Sequence, residues 1–88
     1  MTKADIVSEI ARSTGIDKNT VLTSVESFME EVKKSLAAGE NVYLRGFGSF
    51  IVKRRAQKTA RNISQIIPEH DIPSFKPARI FMNQVANK

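Results

Sequence analysis

Apolar residues recur at three- and four-residue intervals through the first half of the chain and at two-residue intervals through its middle. That change of period divides the sequence into a helical part and a β part. Ile6, Val7, Ile10 and Ala11 share one face of a first helix. Thr2 stands at its start with Asp5 three residues on, a shorter relative of the Ser/Thr-x-x-Glu capping box, and Gly15 supplies the stop. Asp17 is placed to cap a second helix. Along it Val21, Leu22, Val25, Phe28, Met29, Val32 and Leu36 keep the helical spacing for over four turns. Lys33 and Lys34 lie near its C-terminal end, where they complement the helix dipole, and Gly39 ends it. This stripe is wide for so short a chain. Val25, Phe28, Met29 and Val32 are therefore read as core or subunit interface rather than as the wall of a ligand pocket.

After Gly39-Glu40-Asn41 the pattern alternates. Val42-Tyr43-Leu44-Arg45 reads as a short strand with Val42 and Leu44 on one face. Gly46-Phe47-Gly48 breaks it, with glycine in a turn that other side chains resist and that lets a backbone N–H approach an anion. Ser49 to Arg55 forms a second strand, with Phe50 and Val52 facing one side and Ile51, Lys53 and Arg55 the other. Residues 56–64 are polar and cationic and have no core-forming pattern. Gln65-Ile66-Ile67 then runs back, so the pair is expected to project as a ribbon. Ile72 to Pro77 is extended, because each proline pushes its predecessor out of helix. Ala78 to Val85 makes a last short helix carrying Ile80, Phe81 and Val85. The fold class is α+β, one domain over 1–88: a helical part (1–40), a three-stranded antiparallel sheet with a protruding ribbon (41–77) and a C-terminal helix (78–88).

Composition narrows what such a domain can do. Eighty-eight residues without a cysteine have neither disulfides nor thiolate metal sites to support a lean core. The single histidine, His70, does not build a zinc site and is read as a surface or structural residue. No metal or cofactor is expected, and a partner chain is the natural source of extra burial. No apolar run approaches the roughly 18–20 residues that span a bilayer, and the N-terminus lacks a signal-peptide apolar stretch. A cytoplasmic location is the expectation. Charge is strongly segregated. Residues 1–40 hold five Lys/Arg against seven Asp/Glu, whereas residues 41–88 hold nine against two. Five cations and no anion fall between Lys53 and Arg61. That points to a polyanion as partner.

These pieces occur in a specific order. Gly46-Phe47-Gly48-Ser49-Phe50 leads into a basic arm with Arg61-Asn62, and Ile72-Pro73-Ser74-Phe75-Lys76-Pro77 precedes the last helix. Over its full length the chain resembles the bacterial histone-like DNA-bending proteins, HU and integration host factor, and HU more closely. The resemblance implies an intertwined dimer, with helices from both chains under a sheet saddle and two β-ribbon arms reaching around the DNA minor groove. It also implies a largely sequence-neutral architectural function in the nucleoid. The DNA-contacting positions it implies are Lys3, Arg45, Gly46, Lys53, Arg54, Arg55, Lys58, Arg61, Asn62, Ile63, Lys76 and Arg79. Leu44, Phe47, Phe50 and Phe75 match packing positions, alongside the helical stripe. Phosphate contacts of this kind position a protein without reading sequence.

Three departures from that pattern stand out. Arg54 is an extra charge where the family often has an acidic or neutral residue. Ile63 follows Arg61-Asn62 where the family commonly has a proline that wedges between base pairs; isoleucine is itself an apolar wedge. The stretch from Arg61 to Ile67-Pro68 is also about four residues shorter than the family pattern, without the usual glycine-containing tip. Either the arm is truly shorter or tip residues between Ser64 and Gln65 are missing from the sequence.

Other classes fit less well. Glu30-Glu31 and the Asp5/Glu9 pair are ordinary helix-surface charges with no nucleophile or phosphate loop nearby, so no enzyme is expected. A membrane-surface protein needs a basic amphipathic helix, whereas the basic run here lies in a β-arm. A pure dimerisation module leaves Lys53–Arg61 unexplained. Two alternatives remain: a site-preferring DNA bender like integration host factor, and a binder of RNA or single-stranded nucleic acid, although the arm has no aromatic on which bases stack. Double-stranded DNA is the expected partner, bound by a homodimer or by a heterodimer with a paralogue, with no small-molecule substrate.

Overall fold

The computed structural model describes residues 1–55, 58–59, 66–67 and 69–87. They fall into two compact units, Met1–Lys34 and Ser35–Lys88. The boundary lies inside the second helix rather than at its end.

The first unit contains α1 (Lys3–Thr14) and most of α2 (Lys18–Ala37). The capping box at the start of α1 is complete. Asp5 N–H donates to Thr2 Oγ1 at 3.3 Å, and Thr2 N–H donates to Asp5 Oδ2 at 2.9 Å. Two backbone donors that a helix start leaves without partners are thereby satisfied. Asp17 caps α2 by accepting the Thr20 N–H at 3.2 Å. Among the described apolar side chains only Val7 and Val21 are fully buried. Val25 and Val32 are half-buried, and Met29 and Phe28 are exposed, the phenylalanine at 45%. The stripe is thus present but open along its length. A core of two valines is too small for a chain this long.

The second unit is a sheet with a helix. The strands β1 (Val42–Leu44), β2 (Gly48–Arg55) and β5 (His70–Pro77) form an antiparallel sheet in the order β1-β2-β5. The strands β3 (Lys58–Thr59) and β4 (Ile66–Ile67) pair beyond it, and α3 (Arg79–Ala86) follows β5. The register is unbroken from Gly48↔Pro77 to Arg55↔His70 and continues in step through Lys58↔Ile67 and Thr59↔Ile66. A ribbon therefore extends the β2–β5 pair outward, as its polar composition predicts. Pro73 and Pro77 both lie in β5, at the sheet edge, where a missing N–H is tolerated.

The turn between β1 and β2 is closed by Phe47 N–H donating to Leu44 O at 3.0 Å, with Gly46 in the left-handed region at φ 81°. Arg45 belongs to this turn, not to β1. Phe47 O in turn accepts the Ala78 N–H at 2.9 Å, which ties the turn to the start of α3. Phe47 and Phe75 lie 5.0 Å apart between ring centroids, as do Phe50 and Phe75, and Phe81 from α3 stacks on Phe47 at 5.4 Å. The expected phenylalanine cluster exists, with Phe81 as a fourth member. It is not closed over, since Phe47 remains 44% exposed.

Candidate nucleic-acid interface

Side chains alternate across a strand, and cross-strand partners share a face. The β2–β5 register therefore sorts every residue of the ribbon root onto one of two faces. One carries Phe50 with Phe75, Val52 with Pro73, and Arg54 with Asp71. The other carries Ser49 with Lys76, Ile51 with Ser74, Lys53 with Ile72, and Arg55 with His70. The β1 pairing adds Tyr43 to this second face, opposite Ser49. Asp71, the one carboxylate of β2 and β5, thus lies on the aromatic face, and the second face holds cations without an acid.

The acids on the aromatic face are engaged by one residue. Arg54 donates from Nε and Nη2 to Glu69 Oε1, at 2.9 and 2.6 Å, and from Nη1 to Asp71 Oδ1 at 3.2 Å. Glu69, then Asp71, raises the Arg54 pKa and holds the guanidinium charged. Arg54 is thereby turned into a cross-strand clamp at the point where the sheet passes into the ribbon. The extra cation of the sequence is matched by two anions across the ladder.

Among the remaining cations of the described residues, ion pairs are made only within the helices, although the helical Lys18 and Arg79 make none. Lys3 pairs with Glu26 at 2.7 Å, Lys33 with Glu30 at 3.3 Å, Lys34 with Glu31 at 3.1 Å, and Arg12 with Glu9. All of these belong to the helices. Lys53, Arg55, Lys76, Arg45 and Arg79 are exposed and make no ion pair among the described residues. Unpaired, exposed charge is what a polyanion can use, since releasing its counterions needs no protein salt bridge broken first.

The predicted contact residues therefore separate into groups. Lys53, Arg55 and Lys76 are brought together on one face. Arg45, Gly46 and Lys76 border a groove of about 460 Å³ beside the β1–β2 turn, and Arg79 opens α3. Lys3 lies in the helical unit and is held by Glu26. Arg54 faces the other way. Lys58 is placed by its backbone pairing with Ile67; Arg61, Asn62 and Ile63 lie outside the described residues. Sequence reasoning missed Tyr43 and Asn41, which occupy the cationic face, and it did not foresee the partners of Arg54. The spacing of Glu69 and Asp71, two apart and so on one side of a strand, was the available signal.

Comparison with known proteins finds relatives over the whole chain. The family model described as bacterial DNA-binding protein matches residues 1–86. The DNA-binding protein HU of Thermus thermophilus is 35% identical over 89 residues, covering 97% of this chain and 92% of that protein. Integration host factor subunit beta of Marinobacter nauticus is 37% identical over 90 residues, covering 97% and 92%. The SPbeta prophage-derived HU 2 of Bacillus subtilis is 33% identical over 92 aligned positions that span all of both chains. Ninety-two aligned positions for 88 residues leave four without a counterpart here. Among solved structures, an Anabaena HU–DNA cocrystal structure superposes with a TM-score of 0.91 at 26% identity, over 100% of both chains. Two capped helices, a ribbon grown from an unbroken sheet register, a charge-sorted face and a family match from residue 1 to residue 86 lead to one assignment: this chain belongs to the bacterial DNA-binding protein family of HU and integration host factor.

Proposed function

We propose that the chain is an architectural binder of double-stranded DNA that grips phosphates with its acid-free sheet face and arm and bends the duplex from the minor groove. The carrying observation is the sorting of charge by strand parity: Lys53, Arg55 and Lys76 share a face with no carboxylate, and Asp71 lies on the other. Contacts of this kind bind the backbone, so sequence preference is weak and salt dependence strong. The Anabaena HU solved with DNA supports DNA as the ligand. The chain acts by binding and shaping DNA, without catalysis, and its place is the nucleoid within the cytoplasm. No helix among the described residues is long and apolar enough to cross a membrane.

The working unit is a homodimer. Phe28, Met29, Phe47, Phe75, Ile80 and Val85 remain exposed on a single chain, and a second copy is the simplest cover for so much apolar surface. Arg45, Gly46, Lys58, Arg61, Asn62 and Arg79 complete the set of contact positions, with Ile63 as the wedge; Arg54, bound to Glu69 and Asp71, and Lys3, bound to Glu26, are set apart from it.

Charge reversal at Arg55, Lys58 and Arg61 together is expected to abolish duplex binding while the dimer remains folded. Unchanged affinity in that variant would remove the arm from the interface. Comparing bent or nicked duplex, linear duplex and single strands across a salt series separates the duplex function from an RNA or single-strand role, which a preference for single strands would indicate.

A further inference from the structure

Tyr43 is 72% exposed, and the β1 register puts it on the cationic face, in one row with Ser49 and Lys76. An exposed tyrosine needs no explanation by itself. What distinguishes this one is how its hydroxyl is held. Asn41 Oδ1 accepts the backbone N–H of Val52 at 2.9 Å, beyond the last rung of the β1–β2 ladder. Because a backbone N–H can only donate, the Asn41 amide has one orientation, with its Nδ2 outward. That Nδ2 donates to Tyr43 Oη at 3.2 Å. The phenol oxygen is therefore the acceptor in this bond, and its own proton is left to donate elsewhere.

We infer that Tyr43 is a DNA contact, donating its phenol hydrogen to a phosphate oxygen of duplex DNA lying across the sheet face, with Asn41 as its positioning residue. The inference rests on the proposed duplex-binding function and adds to it a neutral donor among the cations. The row borders the groove lined by Tyr43, Arg45, Ser49 and Lys76. Arg45 and Lys76 supply the charge that draws a phosphate there, and the Ser49 hydroxyl lies between. A phosphate fits this set better than a base edge, because all four groups can donate hydrogen bonds and two are cationic.

A neutral donor has a signature that a cation lacks. Losing it weakens binding but releases no fewer counterions, so the dependence on salt keeps its slope. The experiment measures the affinity of the full-length dimer for a labelled linear duplex by fluorescence anisotropy over a salt series, for the parent, Tyr43→Phe and Lys76→Gln. Tyr43→Phe keeps the ring and alters only an exposed atom, so thermal unfolding is expected to match the parent. The expected result is affinity lower by about three- to tenfold at every salt concentration, with parallel plots of log K against log salt. Lys76→Gln is expected to flatten the slope by about one for each phosphate it no longer neutralises. Tyr43→Phe binding like the parent throughout the series, while Lys76→Gln weakens it, would overturn the Tyr43 contact and leave the duplex function standing. A changed slope in Tyr43→Phe would also overturn it, since the residue would then be acting through the arrangement of the cations. A parent protein that fails to bind duplex overturns both.

Discussion

Gly48 lies directly beneath the ring of Phe75. A Cβ built on Gly48 would stand 2.6 Å from Phe75 Cζ and 2.6 Å from the carbonyl oxygen of Lys76. The ring has neighbours in Phe47 and Phe50, each with its centroid 5.0 Å away, and the oxygen belongs to the backbone of a paired strand. Neither can yield cheaply. Gly48→Ala is expected to destabilise the protein by about 1–3 kcal/mol through overpacking, read as a lower urea midpoint with an unchanged m-value.

Lys53, Arg54 and Arg55 are adjacent in sequence but unequal in the fold, and single neutralisations should show it. Lys53→Gln and Arg55→Gln each remove an unpaired charge from the acid-free face. Each should lower the salt slope of duplex binding by about one for every phosphate left without its cation. Arg54→Gln removes a charge already matched by Glu69 and Asp71. Its effect on affinity in the same titration should be clearly smaller than either neighbour's.

Stability should depend on protein concentration. If a second copy covers Phe28 and the aromatic cluster, mass action stabilises the folded form as concentration rises, and the melting temperature should climb over a hundredfold range. Phe28→Asp places a charge in that surface. Its product should sediment as a monomer or unfold, and a parent with a concentration-independent melting temperature would contradict the dimer.

The start of α1 should be sensitive to acid. Hydrogen bonds from the Thr2 backbone N–H, then from its side chain, hold the Asp5 carboxyl below the usual carboxylate range. A depressed pKa in the folded state contributes stability that is fully present above the ordinary carboxylate value. That stability is lost as pH falls through the lower folded value. Asp5→Asn should therefore be less stable than the parent at pH 7, and the two unfolding curves should converge as the pH falls below the ordinary carboxylate range. Thr2→Ala removes the other half of the box and is expected to cost about 0.5–2 kcal/mol.

Much of this was readable in the sequence because the fold uses short-range rules. The periods of 3.6 and 2 located α1, α2 and β2 to within a residue or two, and the prolines marked Ile72 to Pro77 of β5 as extended. Thr2, Asp5 and Asp17 marked helix starts by chemistry that involves neighbours only. What was not readable depends on partners distant in sequence. Nothing near Arg54 indicates that Glu69 will reach it, and Lys3 gives no sign of Glu26, 23 residues away. The role of Asn41 depends on the N–H of Val52, which is left over only because β1 stops at Val42 on that side. Burial shows the same limit. The stripe of Phe28 and Met29 is visible as apolar spacing, but whether one chain or two close over it is a property of assembly.

The β2–β5 and β3–β4 pairings keep the same register, which also makes the ribbon adjustable in length. Removing one residue from each strand takes away a rung and leaves every remaining side chain on its face, as trimming a ladder leaves the lower rungs in place. Removing one residue from a single strand would instead turn the outer part over and exchange its two faces. Shortening both strands equally is the permitted kind of change. The ribbon can therefore change its reach while Lys53, Arg55 and Lys76 keep the same orientation at the root.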